Sequence, residues 1–474
     1  MKKNKIIFIT ATILTAFVFS SCFHAVFYNI KQDVFPEEST VKGVINSICR
    51  YKIDGEEYLF LAADEGLRYK LAKTGNERDS NKSSWKTFSK DMLPFSLHKY
   101  TYYGTNGSSH EGQAIIKVLA DKDTLYLVTT DYTQDLYEGY SSPDHTRIWA
   151  AKLAASENGT VTGNFTEIKF GTDEGDYTTD QQRDKVFPYT YSKSTKLYFS
   201  HFNVFSTNSV NPEYRRVFVR GNNNGGANEG DCYYELKGLN APSPIYITKS
   251  DSLGDYGIAQ ISSTKSDKKV YTIDSVAYLG DDLYFFDSIA VTTNEYYKTT
   301  VDNSGNTVVE YIKPSIIYFA QSTNKRAIDD EDYHPSTKYL SYIYLKDGTP
   351  SIGENTLNCS EAISSLAVTH DYILIGRGDY SYGTSTAGGI VKAALNDEGI
   401  PATDLAAFDT NASIQLSYSY QILTLLVTWP EKTEKENNIY SSITFKGTGT
   451  SSGTTFDNIG LWAYYAERDN WNCE

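Results

Sequence analysis

Short apolar runs rich in Leu, Ile, Val, Tyr and Phe punctuate the chain, separated by polar stretches rich in Gly, Ser, Asn and Asp. One kind of run recurs: an acidic or polar turn, then a strand-length segment with a Leu-Tyr or Tyr-Leu-like pair. It reads DGEEYLFLAAD (54–64), DKDTLYLVTTD (121–131), SKSTKLYFSHF (192–202), LGDDLYFFDSI (279–289) and THDYILIGRGD (369–379), with a weaker copy in ENNIYSSITFKG (436–447). Anchored on Leu59, Leu125, Leu197, Leu283, Ile373 and Tyr440, the intervals are 66, 72, 86, 90 and 67 residues. Apolar segments precede several copies (QAIIKVLA 113–120, DSVAYLG 274–280, AISSLAV 362–368). Others follow them (GLRYKLA 66–72, RIWAAKL 147–153, RRVFVRG 215–221, SIIYFAQ 315–321, GGIVKAAL 388–395, GLWAYY 460–465). Aromatic and β-branched residues in runs of this length suit pleated sheets, so the pattern predicts an all-β chain.

A unit of four antiparallel strands repeated along a chain cannot bury its faces alone and must stack on its neighbours. The pattern therefore predicts a single β-propeller over residues 41–474, with six four-stranded antiparallel blades and long loop inserts. A seventh blade is accommodated in the long fourth interval near SYIYLKDG (341–348); two three-bladed halves or a double sandwich are the alternatives. A blade needs about 40 to 50 residues. The excess lies in inserts such as TDYTQDLYEGYSSPDH (130–145), NGGANEGD (224–231) and GTGTSSGTTFDN (447–458), which read as surface loops. GLRYKLAKTGNERDSNKSSW (66–85) and GLWAYYAERDNW (460–471) share a Gly-Leu strand, an Arg-Asp pair and a Trp. That resembles a worn Asp-box (BNR) propeller motif, without its Ser-x-Asp-x-Gly core, and it implies the fold rather than sialidase activity.

The first residues follow a different pattern. Lys2, Lys3 and Lys5 precede an apolar stretch, Ile6 to Phe19, too short to cross a hydrocarbon core about 30 Å thick as a helix. Phe19-Ser20-Ser21-Cys22 then resembles a relaxed bacterial lipobox of the kind found in spirochaetal lipoproteins. The resemblance implies a signal peptide at 1–21, lipidation of Cys22, a tether at 22–40 and a cell-envelope location on a membrane whose leaflet is open. More than one acyl chain gives a stable anchor. In an exported chain the remaining cysteines (Cys49, Cys232, Cys359, Cys473) are free to form disulfides. Closure of a ring would bring Cys49 and Cys473 near enough to bridge, with two buried free thiols as the alternative.

Charge narrows the partners. The net charge is −15, and taking three signal lysines from it gives −18, which argues against nucleic acid. No P-loop, dinucleotide-binding glycine pattern, Gly-x-Ser-x-Gly or zinc-protease motif is present, and the seven histidines are widely scattered. No catalytic residue, metal ligand or cofactor is assigned. Asp-rich turns such as DKD (121–123) and DDEDYH (329–334) read as solvated turns before they read as calcium sites. RGDYSYG (377–383) carries an Arg-Gly-Asp tripeptide that a loop would be able to display. The chain holds 39 tyrosines. Those in TYYGTNG, DYTQDLYEGY, NEYYKTT and DYSYGTS (Tyr102, Tyr103, Tyr132, Tyr137, Tyr140, Tyr296, Tyr297, Tyr380 and Tyr382) read as candidate ligand-binding loop residues, because Tyr offers rigid contact area with a polar tip. The expected function is non-enzymatic binding or scaffolding of a protein or glycan in the envelope, with a glycan-acting hydrolase or lyase as the alternative.

Overall fold

A computed structural model describes residues 41, 45–63, 66–72, 85–97, 109–132, 146–168, 204–206, 212, 215–223, 230–240, 244–249, 258–262, 275–279, 282–286, 290–293, 296–313, 315–321, 339–346, 349–353, 356–361, 363–377, 389–408, 422–443, 460–465 and 470–474. Among these the chain is all-β, with only short 3-10 turns besides strands and every strand ladder antiparallel.

The strands group in chain order. The first sheet runs Ile45–Ile53, Glu56–Ala63, Gly66–Leu71, Lys86–Thr87. The second runs Ser109–Ala120, Leu125–Tyr132, Thr146–Ala151, Thr166–Glu167. The third is Val204–Ser206, Val217–Asn223 and Gly230–Leu236. Pro244–Lys249 joins it edge to edge to a fourth, which continues through Ile258–Ser262 and Asp282–Phe286 to Ser275–Leu279. The fifth holds Ala290–Thr292, Ile316–Gln321, Tyr339–Lys346 and Thr349–Ile352. The sixth is Ile363–Val368, Tyr372–Arg377, Gly389–Ala394, Ala406–Ala407, and the seventh Ile422–Val427, Ile439–Ile443, Leu461–Tyr465, Asn470–Cys473.

The packing explains why these strands are apolar runs rather than half-polar alternations. A strand sends alternate side chains to opposite faces, and here both faces meet another sheet. Phe60 and Ala62 pack on the second sheet beside Val118 and Leu127, while Leu59, Leu61 and Ala63 pack on the seventh beside Leu426, Tyr440 and Leu461. In the second sheet Leu125 and Leu127 face the first, and Tyr126 and Val128 face Val217 and Val219 of the third. Ile373 and Ile375 of the sixth join Ile316 and Tyr318 of the fifth, whereas Leu374 turns to Trp462 and Tyr464 of the seventh. The core is thus a series of apolar layers between consecutive sheets, and one of those layers joins the seventh sheet to the first.

Leading strands touch in the same order. Ile45–Ile53 lies against Ser109–Ala120, which meets Val204–Ser206; that meets Ser275–Leu279, then Ala290–Thr292, Ile363–Val368 and Ile422–Val427, which returns to Ile45–Ile53. Polar bonds cross the last junction: Ser442 Oγ donates to the Ile45 carbonyl at 3.1 Å, and Arg50 donates to the Thr428 carbonyl at 3.3 Å. Beside them Lys70 and Glu474, 2 % and 0 % exposed, form an ion pair at 3.4 Å, and the Trp85 indole donates to the same carboxylate at 2.7 Å. The Lys70 ammonium also sits over the Trp85 and Tyr440 rings, 4.8 and 4.7 Å from their centroids.

Tyrosine hydroxyls add a second kind of link. Tyr51 of the first sheet donates to the Asp123 carbonyl of the second at 2.8 Å, and Tyr318 of the fifth to the Gly399 carbonyl of the sixth at 2.7 Å. Tyr69 accepts from the Val161 N–H at 3.1 Å, and Tyr126 from the Gly238 N–H at 2.8 Å.

Several sequence expectations change. SIIYFAQ does not extend the unit of Asp282–Phe286; it lies in the fifth sheet with Tyr339–Lys346, so the long fourth interval holds two sheets. NEYYKTT is not a loop: Tyr296–Val301 pairs with Thr307–Lys313 in a separate hairpin turning at Gly305, whose φ of 82° suits glycine. SKSTKLYFSHF lies outside the described residues. Cys49 is a buried free thiol, so of the two readings left open the candidate Cys49–Cys473 bridge is not formed in this structure. Cys49 is on the leading strand of the first sheet, whereas Cys473 ends the outermost strand of the seventh.

Candidate functional site

A cavity of about 680 Å3 lies between the second and third sheets. Antiparallel succession puts the end of a sheet's first strand, the start of its second and the end of its third at one end of that sheet. Its walls come from those positions: the turn Asp121–Thr124, Lys152, Arg215 and Arg216, and the segment Glu235–Asn240.

The turn is held by Asp121. One carboxylate oxygen accepts from the Asp123 and Thr124 N–H groups at 2.8 and 2.7 Å, and the other from the Tyr126 hydroxyl at 2.5 Å. Burial raises the Asp121 carboxyl above its usual range, against the opposing pull of these donors. The same Tyr126 oxygen accepts from Gly238, so one buried side chain fixes both walls. Gly238, at φ 66°, allows the chain to turn after Leu236.

The opposite wall is an ion-pair network. Arg216 forks onto Glu235 at 2.6 and 2.8 Å, and Lys237 meets the same carboxylate at 3.0 Å. Burial alone would raise the Glu235 carboxyl, but Arg216 and Lys237 outweigh it and hold it below the usual range. Arg215 is buried, and its guanidinium reaches Glu57 of the first sheet at 2.7 Å. Lys122 and Lys152 are exposed at the rim, with the Asp123 carboxylate beside them. The carboxylates Asp121 and Glu235 are thus bound into structure, and the arrangement suits recognition of a ligand more than proton transfer to one.

Of the positions singled out in the sequence, few are described. Tyr102, Tyr103, Tyr137, Tyr140, Tyr380 and Tyr382 lie outside the described residues, as do Cys22 and DDEDYH. For Tyr132, Tyr296 and Tyr297 the backbone is described, in strands. The DKD turn uses its first carboxylate to cap its own backbone, and among the described residues no group of three or more His, Cys, Asp or Glu is placed to hold a metal ion. Arg377 is buried and donates to the Cys359 carbonyl at 3.3 Å, so it is not presented for adhesion. In the sequence Arg215 and Arg216 read as part of a strand, Arg216 being also one of several arginines that no motif marks, and Glu235 and Lys237 carry no reading. The available signal was charge at both ends of strands whose interiors are apolar, RRVFV and ELKG.

No protein-family model matches the chain. No curated protein matches it either. Similar solved structures include an ancestral GH74 enzyme (11 % identity, TM-score 0.35, covering 90 % of this chain and 51 % of that one). The chain thus spans about half the length of that enzyme. An exo-β-1,3-galactanase of Phanerochaete chrysosporium aligns at 8 % identity and TM-score 0.25, over 80 % of this chain and 68 % of its own. A levansucrase of B. megaterium aligns at 10 % identity and TM-score 0.28, over 93 % and 88 %. At these scores no functional residue is transferred from any of them.

Proposed function

We propose that the chain is a lipid-anchored cell-envelope protein whose body is a β-propeller of seven sheets, acting as a non-enzymatic binding module through the cavity between its second and third sheets. The propeller reading is supported by the cycle of leading-strand contacts and by the apolar layer between the seventh and first sheets. The envelope reading rests on the sequence from Lys2 to Cys22. The observation that carries binding over catalysis is the state of the cavity carboxylates: Asp121 caps a turn, and Glu235 is chelated by Arg216 and Lys237. Most glycosidases need two carboxyl groups available to substrate as acid and base or nucleophile.

The test has two arms. Cells fed an alkyne fatty acid label the wild-type chain and not Cys22→Ala; persistent labelling of the variant refutes the anchor. The full chain in detergent, presented to glycan and peptide arrays, retains a ligand that mass spectrometry recovers unchanged. A ligand recovered cleaved refutes the non-enzymatic reading.

A further inference from the structure

We infer that this cavity takes a small organic anion, a carboxylate- or phosphate-bearing molecule about the size of one or two sugar rings; the inference deepens the binding reading and rests on it. Its volume, about 680 Å3, falls within the range of small-molecule sites, roughly 300 to 1,000 Å3.

The distribution of charge gives the ligand's sign. The lining carries more cations than carboxylates, in a chain whose net charge is −15. Charges of both signs are paired along the wall, and the cations remain in excess. Both Asp121 oxygens accept from the turn and from Tyr126; Glu235 is gripped by Arg216 and Lys237; Glu57, behind the wall, meets Arg215. At the rim stand Lys122, Lys152 and Lys237, the last 70 % exposed, against one exposed carboxylate, Asp123. A concave wall with an excess of one sign draws in the opposite charge. Leu236 and Leu239 add apolar surface, and Leu239 is 51 % exposed. A ring bearing an anionic group matches both features.

The local geometry permits a test of sign. Asp123 contributes its backbone to the fold, donating its N–H to Asp121 and accepting from Tyr51 through its carbonyl. Asp123→Asn keeps both bonds and removes a charge that repels the ligand. Lys122→Gln with Lys152→Gln removes two that attract it.

The full chain in detergent is titrated with D-glucuronate, glucose 6-phosphate and glucose, using ligand-observed NMR and calorimetry at low salt. Glucuronate, glucose 6-phosphate or both bind more tightly than glucose, and which of them binds names the anionic group. Asp123→Asn tightens binding about threefold and the double Lys variant weakens it about tenfold, both differences shrinking in 0.5 M salt. Equal binding of all three sugars overturns the inference and leaves the binding reading intact. Absence of binding by either acid, or indifference to both variants in folded protein, also overturns it. The same NMR samples, spiked with a uronate-containing disaccharide, report cleavage; cleavage refutes the non-enzymatic reading while leaving the anion site in place.

Discussion

Replacing Tyr126 by Phe removes one oxygen and leaves the buried ring in place. That oxygen donates to the Asp121 carboxylate at 2.5 Å and accepts from the Gly238 N–H at 2.8 Å. A hydrogen bond to a charged group contributes about 1.5–3 kcal/mol and a neutral one about 1 kcal/mol. Water in the neighbouring cavity can satisfy part of what is exposed. Tyr126→Phe is therefore expected to lower unfolding free energy by about 3 kcal/mol at pH 7, read from urea denaturation followed by fluorescence. The pH dependence has a definite sign. Asp121 already titrates above its usual range because of burial, and the hydroxyl is one of the groups that pull it down. Without it the folded-state pKa rises further. A carboxyl with a raised folded pKa binds its proton more tightly folded than unfolded, so the stability it contributes falls as pH rises through that window. The deficit of the variant is therefore larger at pH 7 than at pH 4. A deficit below about 0.5 kcal/mol at pH 7, against the neutral bond's about 1 kcal/mol, or one that grows on acidification, refutes the assignment of Tyr126 as the link between the walls.

Other perturbations follow from the same structure. Burial pushes the Lys117 amine down to about 7; the unfolded chain then binds the extra proton between that value and 10.5, so wild-type stability rises from pH 7 to pH 9 by about 2 kcal/mol. Lys117→Met flattens that rise, and an unchanged pH profile counts against it. Lys70→Met leaves the Glu474 carboxylate, 0 % exposed, with the Trp85 indole but without its counter-charge, and is expected to cost about 3 kcal/mol. Adding Glu474→Gln restores most of it; equal losses in single and double variants would show that the pair is not coupled. Cys49 and Cys359 are buried, and burial raises both thiols, Cys359 to about 11. Peptide mapping after brief iodoacetamide treatment finds them unmodified in native protein and modified in urea, and rapid native labelling contradicts their placement.

The sheet content was legible because burial on both faces writes itself as apolar runs. Residues Leu59–Ala63 show why: every side chain meets a neighbouring sheet, and no polar alternation is left to mislead. Assigning strands to sheets was harder. SIIYFAQ follows Asp282–Phe286 in the chain but pairs with Ala290–Thr292, a strand too short to register as a period. NEYYKTT read as a loop because Tyr, Lys and Thr suit both settings, and only pairing with Thr307–Lys313 decides between them. The cavity was not legible at all. Its charged residues are spread over 116 positions, from Asp121 to Lys237, and no local spacing announces that antiparallel strands deliver them to one end. Arg377 shows the converse: its tripeptide permits either display or an inert turn, and the side chain is buried and donates to a carbonyl.

The tyrosine links have a consequence for how such a molecule changes over generations. Tyr51, Tyr69, Tyr126 and Tyr318 each reach the main chain of the following sheet, at Asp123, Val161, Gly238 and Gly399. A carbonyl or amide is present whatever residue occupies the position, so these joints do not read the side chains of the turns they grip. Turn sequences are then free to diversify as long as the backbone path is kept. The joints give the body a chemical grammar indifferent to vocabulary, in which new surfaces can be tried at the sheet ends without renegotiating how the sheets are held together.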